Sequence, residues 1–478
     1  MKIAMITSEA NPLCKSGGLA DVTYSLSREL NKNGVETVIV LPYYKQIKDN
    51  KSLSVKYLLN YNISMSWRNQ YCGVFETVID GIKYYLLDNE YYFNRDGLYG
   101  FGDDGERFAF FSLASLELFR QINYHPDIIH VHDWQAGMIP CLLKEKLRND
   151  EFYKNVKSVL TIHNPAFKGF IDKYFLNNFY GLNDYLYDYG NVRFEGMVST
   201  LKAAIYYADM ITTVSPTHRN ELLTYTLSHK LNYCLELRKD DFVGIVNGVD
   251  EVEFNPSKDS KIAKEFTTSA FVTAKRANKN ALMDEMHLSR TDAPVFGIVS
   301  RLTFQKGIDL VLSNASHILS KGGRIVVLGS GEAELEQAFQ KLRDANPDNV
   351  GIYIGYNDAL AHKVYAGSDF FLMPSSFEPC GIGQIIAQRY GALPIVRETG
   401  GLVDTVEGYY GNNEKTATGF SFKRYDSIEF GEAINRAFDV YANSKLHSQL
   451  IKNAMKLDHG WKKSMDQYID VYKRALQK

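Results

Sequence analysis

The chain has few cysteines, no long apolar run and almost no net charge, and each shortage removes a class of function. Five cysteines, Cys14, Cys72, Cys141, Cys234 and Cys380, are scattered through 478 residues. They are odd in number and form no Cys-x-x-Cys pair, so neither a disulfide framework nor a zinc site is indicated. Such usage fits a reducing compartment. No segment has the apolar length needed to cross a bilayer. The start, Met1-Lys2-Ile3-Ala4-Met5-Ile6-Thr7, is too short in its apolar part for a secretory leader and reads as a first β-strand. A cytoplasmic protein is the expectation. Lys and Arg number 54 against 56 Asp and Glu, a formal charge of −2. Nothing here offers a polyanion-binding surface, so nucleic acid and anionic membrane drop out as partners. No His-Glu-x-x-His occurs, and no metal is expected.

What is present is the composition of a globular protein too long for one core, so two or three domains are expected. Lys2–Thr7, Thr37–Leu41, Asp127–His130, Ser158–Ile162, Met210–Val214 and Phe242–Val246 are apolar runs without polar alternation. That is the signature of strands buried on both faces of a parallel sheet. Helical stretches such as Ala20–Lys32 and Arg107–Gln121 lie between them, which argues for a doubly wound α/β domain. Residues 47–100 read differently: Gly73–Ile79 and Ile82–Leu87 flank Asp80-Gly81, a hairpin signal, and suggest an antiparallel excursion. After Asn247-Gly248-Val249-Asp250, taken as the linker, a second series of strands follows: Val295–Val299, Arg324–Leu328, Gly351–Ile354, Phe370–Met373 and Leu393–Val396. The expected division is 1–245, 246–459 and a C-terminal helix over 460–478. Ligands of such sheets gather at the carboxyl ends of strands.

Those ends carry the polar residues. Lys15-Ser16-Gly17-Gly18-Leu19 follows the first strand and opens a helix, where paired glycines and a helix N-terminus suit a phosphate. An ordinary strand–helix turn is about as good a reading of that motif alone. His132-Asp133-Trp134 and His163-Asn164-Pro165 each lie just past a strand. Either histidine could bond a sugar hydroxyl or simply be satisfied by backbone. Ser300-Arg301-Leu302-Thr303-Phe304-Gln305-Lys306-Gly307 places two cations in one loop before a helix, a clamp for a diphosphate leaving group. Phe377-Glu378-Pro379-Cys380-Gly381-Ile382-Gly383 combines a carboxylate with glycines, and Cys380 has a backbone-positioning rather than a nucleophilic role. Asp-x-Asp, on which many sugar-nucleotide transferases hold a metal ion, is absent. Leu328-Gly329-Ser330-Gly331 lacks the third glycine of a dinucleotide fingerprint and reads as a turn.

Taken in order, these motifs resemble the bacterial glycogen synthase and plant starch synthase family over nearly the whole chain. Arg95-Asp96-Gly97-Leu98-Tyr99-Gly100, Gly105-Glu106-Arg107-Phe108, Val246-Asn247-Gly248-Val249-Asp250 and Thr399-Gly400-Gly401-Leu402 extend the match. The resemblance implies a GT-B fold: two Rossmann-like doubly wound domains facing a central cleft, with a last helix crossing back to the first domain. It implies a metal-free, retaining transfer of glucose from ADP-glucose to an α-1,4-glucan such as glycogen. Residue by residue, it assigns Lys15, Gly17, Gly18, Arg301 and Lys306 to the diphosphate. His163 would meet the glucose near its 6-hydroxyl, and Glu378 its 3- and 4-hydroxyls, with backbone of Cys380, Gly381 and Ile382. Asp133, Asn164 and Asn247 would complete the sugar pocket, Asp21 and Tyr356 would lie near the nucleoside, and Tyr92 and Arg95 near the acceptor. His163, Arg301, Lys306 and Glu378 are the expected catalytic group.

Gln135, Ser376 and Gly383 depart from the family pattern and bear on donor affinity and acceptor preference, not on the reaction class. Three rival readings are a related transferase with another nucleotide or a small acceptor, a non-catalytic glucan-binding protein and, more distantly, a nicotinamide-linked dehydrogenase. The sequence sets no oligomeric state.

Overall fold

The computed structural model describes residues 1–478. They divide into two compact units, Met1–Gly248 with Trp461–Lys478, and Val249–Gly460.

The first unit is built on strands β1 (Lys2–Ile6), β2 (Glu36–Pro42), β3 (Lys56–Met65), β4 (Arg68–Ile79), β5 (Ile82–Asp88), β6 (Ile128–His132) and β7 (Lys157–Ile162). A small three-stranded sheet follows, of β8 (Phe170–Ile171), β9 (Arg193–Phe194) and β10 (Met197–Ser199), and then β11 (Met210–Thr213) and β12 (Phe242–Gly244). The main sheet runs β12-β11-β7-β6-β1-β2-β5-β4-β3. Its central pairs are parallel. Every residue of β6 is buried, as is all of β1 but Lys2; apolar runs without alternation are what two covered faces require. Helix Gly18–Lys32 shows the complementary period, burying Leu19, Val22, Leu26 and Leu30 at helical spacing.

The antiparallel excursion expected over residues 47–100 is present and is joined to the main sheet of the first unit. β4 pairs antiparallel with β3 and β5, but β5 pairs parallel with β2, so the segment extends the main sheet. Asp80 and Gly81 have φ of 50° and 78°, the positive pair that a two-residue hairpin turn of matching twist needs. Strand β3, which the sequence reading did not include, is largely exposed and buries mainly alternate residues near its end. An edge strand with one covered face lacks the continuous apolar run that marked the others.

The last helix, Trp461–Leu476, belongs to the first unit. It buries Trp461, Met465, Tyr468, Val471, Tyr472 and Ala475 in that unit's core. Ser464 Oγ donates to the Val246 carbonyl at 2.6 Å, and Arg474 to that of Asp240 at 2.6 Å. A Cβ on Gly248 would lie 2.7 Å from the Trp461 Cα, so the chain crosses there only because the residue is glycine.

The second unit holds a six-stranded parallel sheet: β13 (Val295–Val299), β14 (Arg324–Gly329), β15 (Val350–Ile354), β16 (Phe370–Met373), β17 (Leu393–Arg397) and β18 (Phe420–Phe422). Its order, β15-β14-β13-β16-β17-β18, is the 3-2-1-4-5-6 order of a dinucleotide-type Rossmann fold, with its switch point between β13 and β16. The first sheet has the corresponding reversal between β1 and β6. No helix of the protein is long and apolar enough to cross a membrane.

Candidate active site

At the first unit's switch point, the chain leaves β1 through Thr7, Ser8 and Glu9. The Glu9 carboxylate is the organising group. It accepts from the Ser16 amide at 2.5 Å, the Gly17 amide at 3.1 Å and the Ser16 hydroxyl at 2.6 Å. The Tyr99 hydroxyl donates to it at 2.7 Å. An acidic side chain thus already occupies the Gly17 amide, part of the backbone that the sequence reading assigned to phosphate. Glu9 lies outside every motif used there; a carboxylate six residues upstream of the glycine loop was the available signal. Lys15 and Asp21, given separate roles from sequence, are ion-paired at 2.8 Å, and Asn11 also donates to Asp21. Burial is the main influence on the Asp21 carboxyl and pushes its pKa up, against the lowering effect of Lys15.

Gly17 and Gly18 are informative for what surrounds them. A Cβ at either would meet nothing within 4 Å, and neither has positive φ. The fold therefore does not demand glycine at these positions, whereas a ligand lying close against the backbone would.

From β6 and β7 come the histidines. Asp133 has φ 53°, an unusual angle for a residue with a side chain. Its Oδ1 accepts the His163 amide at 2.7 Å and the Asn164 amide at 3.3 Å. Asp133 thus shapes the His163 loop, and burial pushes its pKa up to about 7. Asn164 turns its own Oδ1 onto the Ala166 amide at 3.0 Å. His163 Nε2 lies 3.0 Å from His132 Nδ1, and burial lowers the His163 pKa to about 3. Asn247 is buried with its Oδ1 unpartnered, the state of an acceptor awaiting a donor.

Tyr92 requires a correction. Its side chain is fully buried and its hydroxyl donates to Glu106 at 2.5 Å, so it cannot reach an acceptor glucan. The exposed ring there is Tyr91, 69% accessible. Adjacent helical residues point to different sides, and only packing decides which is inside. Arg95 is bidentate to Asp103 at 2.5 and 2.6 Å and bonds the Tyr91 carbonyl.

In the second unit, the loop after β13 and the loop after β16 meet. Lys306 Nζ is 2.6 Å from Glu378 Oε2, which also accepts from Ser375 Oγ at 3.0 Å. Arg301, expected to act with Lys306 as a two-cation clamp, is exposed on the same loop, while Lys306 is committed to the carboxylate. Arg397 Nε supports this corner by donating to the Ser375 carbonyl at 2.8 Å, and Ser376 donates its amide to Gln305 at 2.9 Å. The glycines here have a packing role. A Cβ on Gly400 would lie 1.9 Å from the Glu378 carbonyl, and one on Gly401 2.2 Å from that of Cys380. Cys380 is buried; Gly381 has φ 73°, and Ile382 precedes helix Gly383–Arg389. The Gln384 side chain braces the Cys380 and Gly381 carbonyls at 3.1 Å each. Tyr356 is 84% exposed. One group elsewhere has metal-ligand geometry, Glu253, Asp358 and His362, but the Lys261 ammonium stands in it, 2.5 Å from Asp358 and 3.2 Å from His362.

Two Rossmann-like sheets with polar loops at their switch points define a class, the GT-B glycosyltransferases. A sucrose-phosphate synthase from Thermosynechococcus elongatus shares that fold at 16% identity, with a TM-score of 0.63 over 100% of this chain and 99% of its own. The catalytic domain of starch synthase IV from Arabidopsis thaliana, solved bound to ADP and acarbose, is far nearer. It is 30% identical, with a TM-score of 0.92, covering 100% of this chain and 99% of that one. Residues 2–236 match the family model for the starch synthase catalytic domain, and 281–457 that for glycosyl transferases group 1. The glycogen synthase of Clostridium perfringens is 44% identical over 485 residues, covering 100% of this chain and 99% of that protein. That of Bacillus subtilis is 43% identical over 479 residues, with 100% and 99% covered. The chain belongs to the glycogen synthase and starch synthase family and is a glucosyltransferase.

Proposed function

We propose that the protein moves glucose from ADP-glucose to the non-reducing end of an α-1,4-glucan such as glycogen, in the cytoplasm, with retention of configuration and without a metal ion. The observation that carries the chemistry is the Lys306–Glu378 pair beside Arg301 at the second sheet's switch point. The ADP in the starch synthase relative supports the choice of nucleotide, and its acarbose a glucan-like acceptor.

The bond from the anomeric carbon to the phosphate oxygen breaks first, with oxocarbenium character on the sugar and charge growing on the diphosphate. Arg301 and Lys306 stabilise that charge. Glu378 keeps one oxygen on Lys306 and offers Oε1 to sugar hydroxyls. His163 serves the 6-hydroxyl side, and Asn247 offers its unpartnered acceptor. The acceptor 4-hydroxyl attacks on the face the diphosphate leaves, and the departing phosphate oxygen takes its proton. Glycine at positions 17 and 18 leaves room for the diphosphate.

The test is incorporation of labelled glucose into a glucan primer from ADP-glucose and from UDP-glucose, each with and without chelator. Elongation from ADP-glucose unaffected by chelator is expected. Preference for UDP-glucose with a small acceptor, or loss of activity in chelator, would overturn the proposal. Glu378→Ala and Lys306→Ala should each cost at least about 2 kcal/mol of transition-state stabilisation.

A further inference from the structure

We propose that His132 is a positioning residue that holds the His163 imidazole as its Nδ1–H tautomer, and that Tyr472 of the last helix steadies His132 through His130. The assignment deepens the proposed function, on which it rests only for the use of His163 against the donor sugar.

His130 and His132 alternate along β6 and so share a face of the sheet. Their rings stack at 4.3 Å between centroids. Both are fully buried. The His130 ring is bonded at each nitrogen, Nδ1 to the Tyr472 hydroxyl at 2.9 Å and Nε2 to Thr161 Oγ1 at 2.6 Å. The proton order in this file follows from its far end. Thr212 Oγ1 has the Leu160 carbonyl at 3.3 Å as an acceptor, and donating there leaves it to accept from Thr161 Oγ1, 2.6 Å away. Thr161, having donated, accepts from His130 Nε2–H, and His130 Nδ1 then accepts from the Tyr472 hydroxyl. Every hydrogen in the file then has an acceptor, and the His130 ring is held at both nitrogens.

His132 lies on that fixed ring. Its Nδ1 meets His163 Nε2 at 3.0 Å, while its Nε2 is buried without a partner. A neutral imidazole carries one proton. Were it on His132 Nε2, a buried N–H would have no acceptor, an arrangement native structures rarely contain. The proton therefore sits on His132 Nδ1 and is donated to His163 Nε2. That leaves His163 with its own proton on Nδ1, which no group of the chain accepts and which the half-buried ring can offer to a ligand hydroxyl. A turned or oppositely protonated His163 would present an acceptor instead of a donor.

The experiment labels the full-length protein with ¹⁵N-histidine and reads which ring nitrogen of His163 is protonated, the signal being assigned by its loss in His163→Ala. Wild type should show Nδ1–H; Nε2–H would overturn the proposal whatever the activity. Two variants separate positioning from packing. His132→Asn places its amide N–H where Nδ1 stood and should keep the Nδ1–H tautomer and most of kcat. His132→Gln fills the space better but puts its amide elsewhere; it should lose the single tautomer and cut kcat by at least about tenfold, with primer KM little changed. Equal kcat in the two variants, or a milder effect in Gln, would also overturn it. Tyr472→Phe should broaden the His163 signals and lower kcat about threefold; unchanged signals and kcat would remove Tyr472 from the assignment. Because the wild-type tautomer is read without substrate, failure of this inference is distinguishable from failure to use ADP-glucose.

Discussion

The Lys306 ammonium lies 2.6 Å from Glu378, with side chains only 18% and 7% accessible. A pair so enclosed is costly to break from one side, because the remaining charge has no counter-charge. Lys306→Ala should therefore lose about 3 kcal/mol of stability in denaturant unfolding as well as turnover. Adding Glu378→Gln should recover most of the stability and none of the turnover. A single variant as stable as wild type would refute the argument. Glycines at the two switch points divide in the opposite way. Gly17→Ala and Gly18→Ala should melt within about 0.5 kcal/mol of wild type, since a Cβ meets nothing there, while the donor KM rises. Gly400→Ala should fail to fold well, as its φ is 45° and its Cβ would collide with a carbonyl. Thermal melts and donor titrations check both.

At the scale of elements, β6 and the loop after β7 hold a file of histidines that burial keeps neutral. Burial lowers the pKa to about 3 for His130 and His163, and holds that of His132 well below the ordinary imidazole value. Below the ordinary imidazole range the unfolded chain takes up three protons that these rings refuse. Asp133 works against them, since its raised pKa of about 7 keeps one proton on the folded chain that the unfolded carboxylate gives up. Among these four groups three less one leaves two more protons on the unfolded state, and His447, lowered to about 4 by burial, acts in the same direction, so stability falls as pH drops from 6.5 to 5, by about 1.4 kcal/mol per proton per pH unit. Urea midpoints across that window check it; a flat profile would mean the rings protonate in place. The file was invisible along the chain, for Tyr472 and His130 are 342 residues apart in sequence. The His132 and His163 motifs were legible because each sits at a strand end, but nothing in either indicates a hydrogen bond between them.

For the whole molecule, the decisive feature is that the first unit is not continuous in sequence. The last helix contributes Trp461, Met465, Tyr468, Val471 and Tyr472 to that unit's core. At about 1.5 kcal/mol or more for each large apolar side chain, deleting residues 461–478 should remove at least about 7 kcal/mol from that unit and leave the Val249–Gly460 unit folded. Calorimetry of the truncated chain should show the first unit's transition lost or strongly lowered and the second's kept. Equal survival of both would show the helix to be an accessory. Gly248 and Trp461 mark where the chain leaves and re-enters, and the close approach of their backbones is a property of neither segment alone.

The sequence by itself determined the parallel strands of the two sheets, the loops at their ends and the residue types gathered there. Buried strands need unbroken apolar runs, and strand–helix turns need glycine and polar residues, so both are written locally. Only the tertiary structure decided that Glu9 caps the glycine loop, that Lys306 is bound to Glu378, that Tyr91 rather than Tyr92 faces outward, and that the last helix reaches the histidines. Each depends on which side of an element faces a partner distant in sequence, and that is settled by packing, which no local pattern encodes.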